Sequence, residues 1–297
     1  MKYRSLNSYL QDTFGQKVYK ISIDGGFTCP NRDGTIDTRG CIFCSAGGSG
    51  DFAEDRSFSV TEQIEQGKKR VEAKMPKKPE SGNKYIAYFQ AFTNTYAPVS
   101  RLRELYTEAI EHPDVVAVSI GTRPDCLPEE TLDLLSELNA LKPIWVELGL
   151  QTIHEKSAEY IRRGYPLQVY DEAVRNLRDK NIEVITHVIL GLPGESREEM
   201  LETVKYVGAS GVQGIKLQLL HVIEGTDLAK DYEAGHFKCM TMEEYVELIH
   251  DAIEVLPEDI VIHRMTGDGA KKTLVAPLWS GDKKRVLNAL NKRLNQD

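Results

Sequence analysis

An α/β fold, a partial (β/α)6 barrel around a wet interior, is what this sequence predicts, on three observations. Strand-like and helix-like stretches alternate from Val18 to Arg264, the pattern of βαβ units laid on a parallel sheet. Several strands carry polar residues at every second position, whereas strands buried on both faces read as continuous apolar runs. Neither a Rossmann fingerprint nor a Walker glycine loop is present, so the usual open-sheet nucleotide folds lose their support. Polar faces that converge inside a curved sheet, with helices outside, enclose a cavity.

The elements follow in order. Val18–Asp24 is a first strand and runs straight into a cysteine-bearing loop. Ser59 with Glu62 three residues on forms a capping box, opening a helix that reaches about Lys74, and residues 76–83 are a polar loop. Strands are then expected at Tyr85–Phe92, Val115–Ile120, Ile144–Leu150, Glu183–Leu190, Ile215–Leu220 and Ile260–Arg264. Helices are expected at Pro98–Glu111, Pro128–Asn139, Leu167–Lys180, Ser196–Val207 and Thr241–Val255, the last two opened by Ser196/Glu199 and Thr241/Glu244 boxes. Along these strands Glu147, Gly149 and Gln151 share one face, His187 lies on the polar side of its strand, and Lys216 and Gln218 lie opposite Leu217 and Leu219.

Composition bounds the rest. The 297 residues suit one large α/β barrel domain; residues 1–17 read as an N-terminal segment, 18–269 as the barrel and 270–297 as a basic C-terminal extension. Hydrophobic content of 41% and charged content of 28% are those of a water-soluble globular chain. No apolar run approaches the ~20 residues that span a bilayer, and MKYRSLNSYL is no signal peptide. Five cysteines, three of them clustered, argue against a secreted disulfide framework, so a cytoplasmic location is expected. A net charge of −8 disfavours a generic nucleic-acid binder. Charge is uneven, however: Lys271, Lys272, Lys283, Lys284, Arg285, Lys292 and Arg293 crowd the C-terminus, and Lys68, Lys69, Arg70, Lys74, Lys77 and Lys78 form a second group. Each is a solvated helix face or an RNA-contacting patch.

Chemistry concentrates in Thr28–Ser45, TCPNRDGTIDTRGCIFCS. Eleven residues separate Cys29 from Cys41, and two separate Cys41 from Cys44. Turn formers Asn31, Asp33, Gly34 and Gly40 let Cys29 fold back towards the other two. Structural zinc takes four protein ligands, and a cubane iron-sulfur cluster held by three thiolates keeps one iron open. No nearby histidine or fourth cysteine completes a zinc site, which would need a distant residue delivered by the fold.

Cys41-Ile42-Phe43-Cys44, with an aromatic before the last cysteine, resembles the cluster loop of radical S-adenosylmethionine (SAM) enzymes. Its long insert after Cys29 is similar to the Elongator-catalytic-subunit-like branch, in particular the YhcC/YtqA group. That resemblance implies the radical SAM barrel fold, with Cys29, Cys41 and Cys44 holding a [4Fe-4S] cluster. Glu147-Leu148-Gly149-Leu150-Gln151 resembles the branch's ELGxQ strand, which implies SAM ribose contacts for Glu147 and Gln151; the alternative for Glu147 is a buried ion pair. Arg162-Arg163-Gly164-Tyr165 resembles its RRGH/Y segment, implying that Arg163 meets the SAM carboxylate rather than serving as a surface charge. Gly191-Leu192-Pro193-Gly194-Glu195 resembles its glycine-rich strand end near adenine, though turn chemistry alone explains those residues. Tyr88–Asn94 stands where the family has a GGE-type motif; Gln90 and Asn94 are the expected substitutes for holding SAM. Arg264, in the His263–Gly269 stretch, is expected beside SAM as well.

Thr122-Arg123-Pro124-Asp125 matches the branch's TRPD, and Arg123, His187, Lys216 and His221 are expected to form the substrate side, at the strand ends where barrel enzymes keep their chemistry. Each of them is alternatively a satisfied structural polar residue. The resemblance further implies that an external electron donor reduces the cluster, which cleaves SAM to a 5′-deoxyadenosyl radical that abstracts substrate hydrogen. It points to tRNA wobble uridine as substrate, from 5-carboxymethylaminomethyl-uridine towards aminomethyl-uridine, Lys216 or Arg123 meeting a carboxylate. With no room after residue 270 for an acetyltransferase domain, acetyl-CoA chemistry is expected to be absent, and no membrane partner is expected. A radical SAM enzyme acting on a small anionic metabolite and a non-catalytic zinc-binding RNA adaptor are the competing readings.

Overall fold

Serine and threonine caps, period-2 strands and helices with one apolar face build six consecutive βα units. The computed structural model describes residues 3–48, 50, 53–72, 82–267 and 272–296. In chain order the elements are β1 (Arg4–Ser5), α1 (Leu6–Phe14), β2 (Val18–Ile23), α2 (Val60–Glu72), β3 (Lys84–Phe89), α3 (Val99–Glu111), β4 (Val115–Thr122), α4 (Glu129–Asn139), β5 (Ile144–Gln151) and α5 (Glu155–Tyr160). They continue with α6 (Leu167–Asp179), β6 (Glu183–Leu190), α7 (Arg197–Ala209), β7 (Gly214–Leu219), β8 (Val222–Ile223), α8 (Asp227–Glu233), α9 (Met242–Glu254), β9 (Val261–Arg264), β10 (Leu274–Ala276) and α10 (Lys283–Leu294). The expected boxes are present: Ser59, Ser196 and Thr241 each accept from the backbone N–H three residues on, and the glutamate there reaches back.

One parallel sheet holds eight strands in the order β1-β9-β7-β6-β5-β4-β3-β2. Strands β2 to β7 lie side by side in sequence order and supply the six units. The sheet curls, because side chains from distant strands meet inside it. In a flat sheet β2 and β5 would stand about 14 Å apart, three strand spacings, yet Lys20 on β2 touches Glu147 on β5 at 2.6 Å. Outward-facing residues such as Ile21, Val118, Val146, Leu148, Val188 and Leu217 form the main core against the helices.

The N-terminal segment does more than lead in. Ser5 caps α1, Gly15 ends it in the left-handed region at φ 68°, and Leu6, Tyr9, Leu10 and Phe14 fall on one face at helical spacing. That face closes the bottom of the barrel against Ile86, Ala117, Trp145 and Ile185, and β1 adds the outermost strand beside β9. The C-terminal residues also dock: β10 pairs antiparallel with β8, and α10 packs Val286, Leu290 and Leu294 into the main core. Lys74, Lys77, Lys78, Lys271, Asp268, Gly269 and residues 76–81 of the expected polar loop lie outside the described residues. Lys68 is taken up by Glu65 and Asp114 at 2.6 and 2.7 Å. Among the described residues no helix is long and apolar enough to cross a membrane.

Candidate functional site

The loop after β2 is folded by its own backbone. The carbonyl of Cys29 accepts from Arg32 and Asp33, that of Pro30 from Ile36, and that of Asn31 from Gly40. Gly40 needs its hydrogen: φ is 76°, and a Cβ there would stand 2.9 Å from the Arg32 guanidinium. Arg32 in turn donates to the carbonyls of Cys44 and Ser45 at 3.0 and 2.7 Å. Ile42 ties the loop to the end of α5 through the Ile161 carbonyl and to α8 through Leu228.

Cys29, Cys41 and Cys44 are half-buried and line one cavity of about 370 Å³ at the C-terminal ends of the strands, a size typical of small-molecule sites. Their sulfurs do not all lie within 4.8 Å of one another. Burial, then the neighbouring Cys44, pushes the Cys41 thiol up to about 12. A thiolate in that position needs a compensating cation, and three thiols with room for a fourth, external ligand fit a [4Fe-4S] cluster. Cys126 is buried beside Asp125 and Cys239 lies away from the cavity lining.

At the other end, inward positions of four strands converge on Glu147. One carboxylate oxygen accepts from Lys20 at 2.6 Å and Ser119 at 2.7 Å; the other accepts from His187 at 2.7 Å and from Lys216. Both ammonium groups also lie over the Tyr88 ring, at 4.9 and 4.5 Å. Burial works to raise the carboxyl, but the charges of Lys20 and Lys216 outweigh it and hold Glu147 well below the carboxylate range. Burial brings Lys216 down to about 7 against the pull of Glu147. Burial and the Lys216 charge bring His187 down to about 4, so its ring is neutral, with Nε2–H donating to Glu147 and Nδ1 accepting from Gln218 at 3.3 Å.

The structure brings most of the expected site residues to this cavity: the three cysteines, Gln90, Arg123, Glu147, Gln151, Arg163, His187, Lys216, His221 and Arg264 all line it. Two do not. Asn94 is fully buried behind the wall, its amide donating to the Gly121 carbonyl at 2.7 Å; Thr93 is the lining residue there. Gly191 sits at φ 90° where a Cβ would strike Met240, and Ile189 faces the cavity from that strand end.

For two others the side-chain commitments differ from expectation. Glu147 is the ion-pair partner, with both oxygens taken by four donors. Arg163 is 2% exposed and donates to the carbonyls of Tyr165, Leu150 and Thr152 and to Glu155. It clamps the end of β5 rather than presenting a free fork. Gln151 is different: among the described residues its buried Oε1 has no partner, and its left-handed backbone at φ 72° turns it from the strand. Gly149 makes room for that carboxamide, since a Cβ would lie 2.9 Å from its nitrogen. Arg123 is held bidentately by Asp125 at 2.9 and 2.7 Å, and its guanidinium and that of Arg163 lie 5.0 and 4.9 Å from the Tyr165 ring.

Lys20, Ser22, Tyr88 and Ser119 were not anticipated. The signal was available for β2, where Lys20 and Ser22 alternate with Ile21 and Ile23 as the later strands do; for Tyr88, an aromatic in an apolar run hid the inward face.

A family model described as the radical SAM superfamily matches residues 37–207, and one described as the radical SAM C-terminal domain matches residues 212–296. The chain is 48% identical over 293 residues to YtqA of Bacillus subtilis, covering 99% of this chain and 89% of that one. It is 30% identical over 164 residues to a tRNA uridine(34) acetyltransferase of Methanocaldococcus jannaschii, covering 54% of this chain and 30% of the relative. Among solved structures, Elp3 of Methanocaldococcus infernus lacking its N-terminus superposes with a TM-score of 0.68 at 20% identity, covering 93% of this chain and 63% of that one.

Proposed function

The chain belongs to the radical SAM superfamily, whose enzymes use a [4Fe-4S] cluster and SAM, and from that membership we propose that it modifies a wobble uridine of tRNA, taking 5-carboxymethylaminomethyl-uridine towards aminomethyl-uridine in the cytoplasm. The observation that carries the radical chemistry is the thiol triad lining the same cavity as Glu147, Gly149 and Gln151 of β5. When bound, the cluster, charged by an external electron donor, supplies the reducing electron that opens the SAM sulfonium.

This chain's residues supply the binding and the environment. Gln151 offers the ribose a carboxamide oxygen that has no partner among the described residues, and Gln90, fixed by Ser22 at 3.0 Å, faces the same space. Arg163 acts by holding the Leu150 carbonyl of β5, the Thr152 carbonyl just beyond it and the Tyr165 ring that Arg123 also faces. Arg123, His187, Lys216 and His221 form the substrate side. The lining there carries more cationic than anionic groups, Lys216 and Arg264 against Glu147, which favours an anionic substituent. Its apolar and aromatic walls, Phe43, Phe92 and Ile189, keep water from the reacting atoms.

Two observations support tRNA over a small metabolite. One is the similarity to a relative that acts on tRNA uridine 34. The other is the first turn of α10: Lys283, Lys284 and Arg285 are exposed there, a cationic cluster at the positive end of the helix that the single Asp282 carboxylate, capping the Arg285 N–H at 3.1 Å, only partly offsets. A phosphate chain laid across that turn would meet its remaining positive charge. A mass-spectrometric inventory of tRNA nucleosides from cells with and without the gene tests the reading. Accumulation of 5-carboxymethylaminomethyl-uridine in its absence supports it, and an unchanged profile returns the small anionic metabolite as substrate.

A further inference from the structure

The eleven-residue insert between Cys29 and Cys41 buries one polar side chain beside a cluster cysteine. Asn31 is 1% exposed. Its amide nitrogen donates to the Arg162 carbonyl at 2.7 Å and lies 3.5 Å from the sulfur of Cys41. A carboxamide has two N–H donors; one serves the Arg162 carbonyl, and the other points between the Cys41 sulfur and the Arg163 carbonyl, 3.4 Å away. The insert holds it there: Gly40 closes on the Asn31 carbonyl at 2.7 Å, Ile36 closes on Pro30 at 2.8 Å, and Gly164 lies against the amide oxygen, where a Cβ would come within 2.9 Å.

We propose that Asn31 is a positioning residue for the redox centre, donating an N–H···S hydrogen bond to the Cys41 thiolate and raising the potential at which the cluster accepts its electron. This rests on the cluster assignment made above. The physical reason is charge. A hydrogen bond to a ligand sulfur stabilises the state with more negative charge on the cluster, which is the reduced one. The thiolate otherwise faces the Arg162 carbonyl oxygen, 3.7 Å away, a dipole of the wrong sign. A loop of this length thus brings its own donor beneath the second cysteine.

The test is a redox titration of anaerobically reconstituted full-length protein without SAM, following the electron paramagnetic resonance signal of the reduced cluster. Asn31→Leu removes the donor, Asn31→Asp replaces it with an oxygen of equal size, and Thr35→Ala loosens the insert elsewhere by removing its contact to the Tyr96 hydroxyl at 2.9 Å. Both Asn31 variants should retain iron and sulfide and titrate at a more negative potential than the parent, the aspartate further than the leucine. Thr35→Ala should titrate with the parent. Parental potentials in both Asn31 variants, or an equal shift in Thr35→Ala, overturn the proposal, as does loss of iron from both Asn31 variants while Thr35→Ala keeps it, since Asn31 is then a loop clamp. A parent protein with no four-iron signal fails earlier and sinks the cluster assignment itself.

Discussion

Replacing any one of Cys29, Cys41 and Cys44 leaves a cluster tethered at two points. Each alanine variant is expected to lose iron and sulfide after anaerobic reconstitution, while Cys126→Ala and Cys239→Ala retain both; normal iron in Cys29→Ala would break the assignment. Gln151→Leu removes a ligand-facing acceptor while keeping volume, so SAM affinity measured calorimetrically should fall by about 0.5–1.5 kcal/mol with iron content unchanged. Arg163→Ala should act differently, lowering the thermal midpoint as well as SAM affinity, because it strips donors from three carbonyls. At this scale the sequence announced residue types and general location: the cysteine spacing and the ELGLQ strand were legible, and of the fourteen residues expected at the site all but Asn94 and Gly191 line the cavity. What a side chain is already bonded to was not. Glu147 and Arg163 look like ligand groups in a linear string, and only the fold shows their donors and acceptors committed.

Among elements, the curled sheet is pinned across its interior by Lys20 of β2, Glu147 of β5 and Lys216 of β7. Glu147→Gln leaves two ammonium groups facing a neutral amide, and removing one member of a buried ionic group costs about 3–5 kcal/mol; the partial exposure of Lys20 puts the expectation at the lower end. Urea unfolding measures it, and a loss below about 1 kcal/mol would show that the network is not a strut. His187 adds a pH signature. Its folded value of about 4 lies below the unfolded 6.5, so between those values the unfolded chain binds more protons, and stability rises with pH across that window. The penalty is complete below pH 4. His187→Gln should flatten the rise relative to the parent, and parallel profiles would contradict the assignment. Period-2 alternation exposed the inward faces of β5, β6 and β7 in the sequence. It could not say that β2 would meet β5 and β7, because that pairing depends on how far the sheet curls, which packing of the outer helices and α1 decides.

For the whole molecule, the six βα units were readable from alternation and capping boxes, whereas the roles of both termini were not. Nine residues of α1 are too few to stand alone as a helix and earn their place only by closing the barrel against Trp145. Against the acidic total of −8, the basic first turn of α10 is the limited surface on which the proposed tRNA contact rests. Lys283→Glu with Lys284→Glu should weaken tRNA binding and flatten its salt dependence, without changing SAM cleavage in the absence of tRNA; tRNA binding with the parent's affinity and salt slope would remove α10 from the interface. The most direct test of the central claim is a single anaerobic reaction of cluster-loaded protein, SAM, reductant and tRNA carrying 5-carboxymethylaminomethyl-uridine, read by mass spectrometry. The expected result is 5′-deoxyadenosine formed in step with aminomethyl-uridine in the tRNA and with glyoxylate, the carboxymethyl group leaving by a two-electron oxidation and hydrolysis matched by the reductive cleavage of SAM. Deoxyadenosine formation that ignores the tRNA, with its nucleosides unchanged, would contradict the claim.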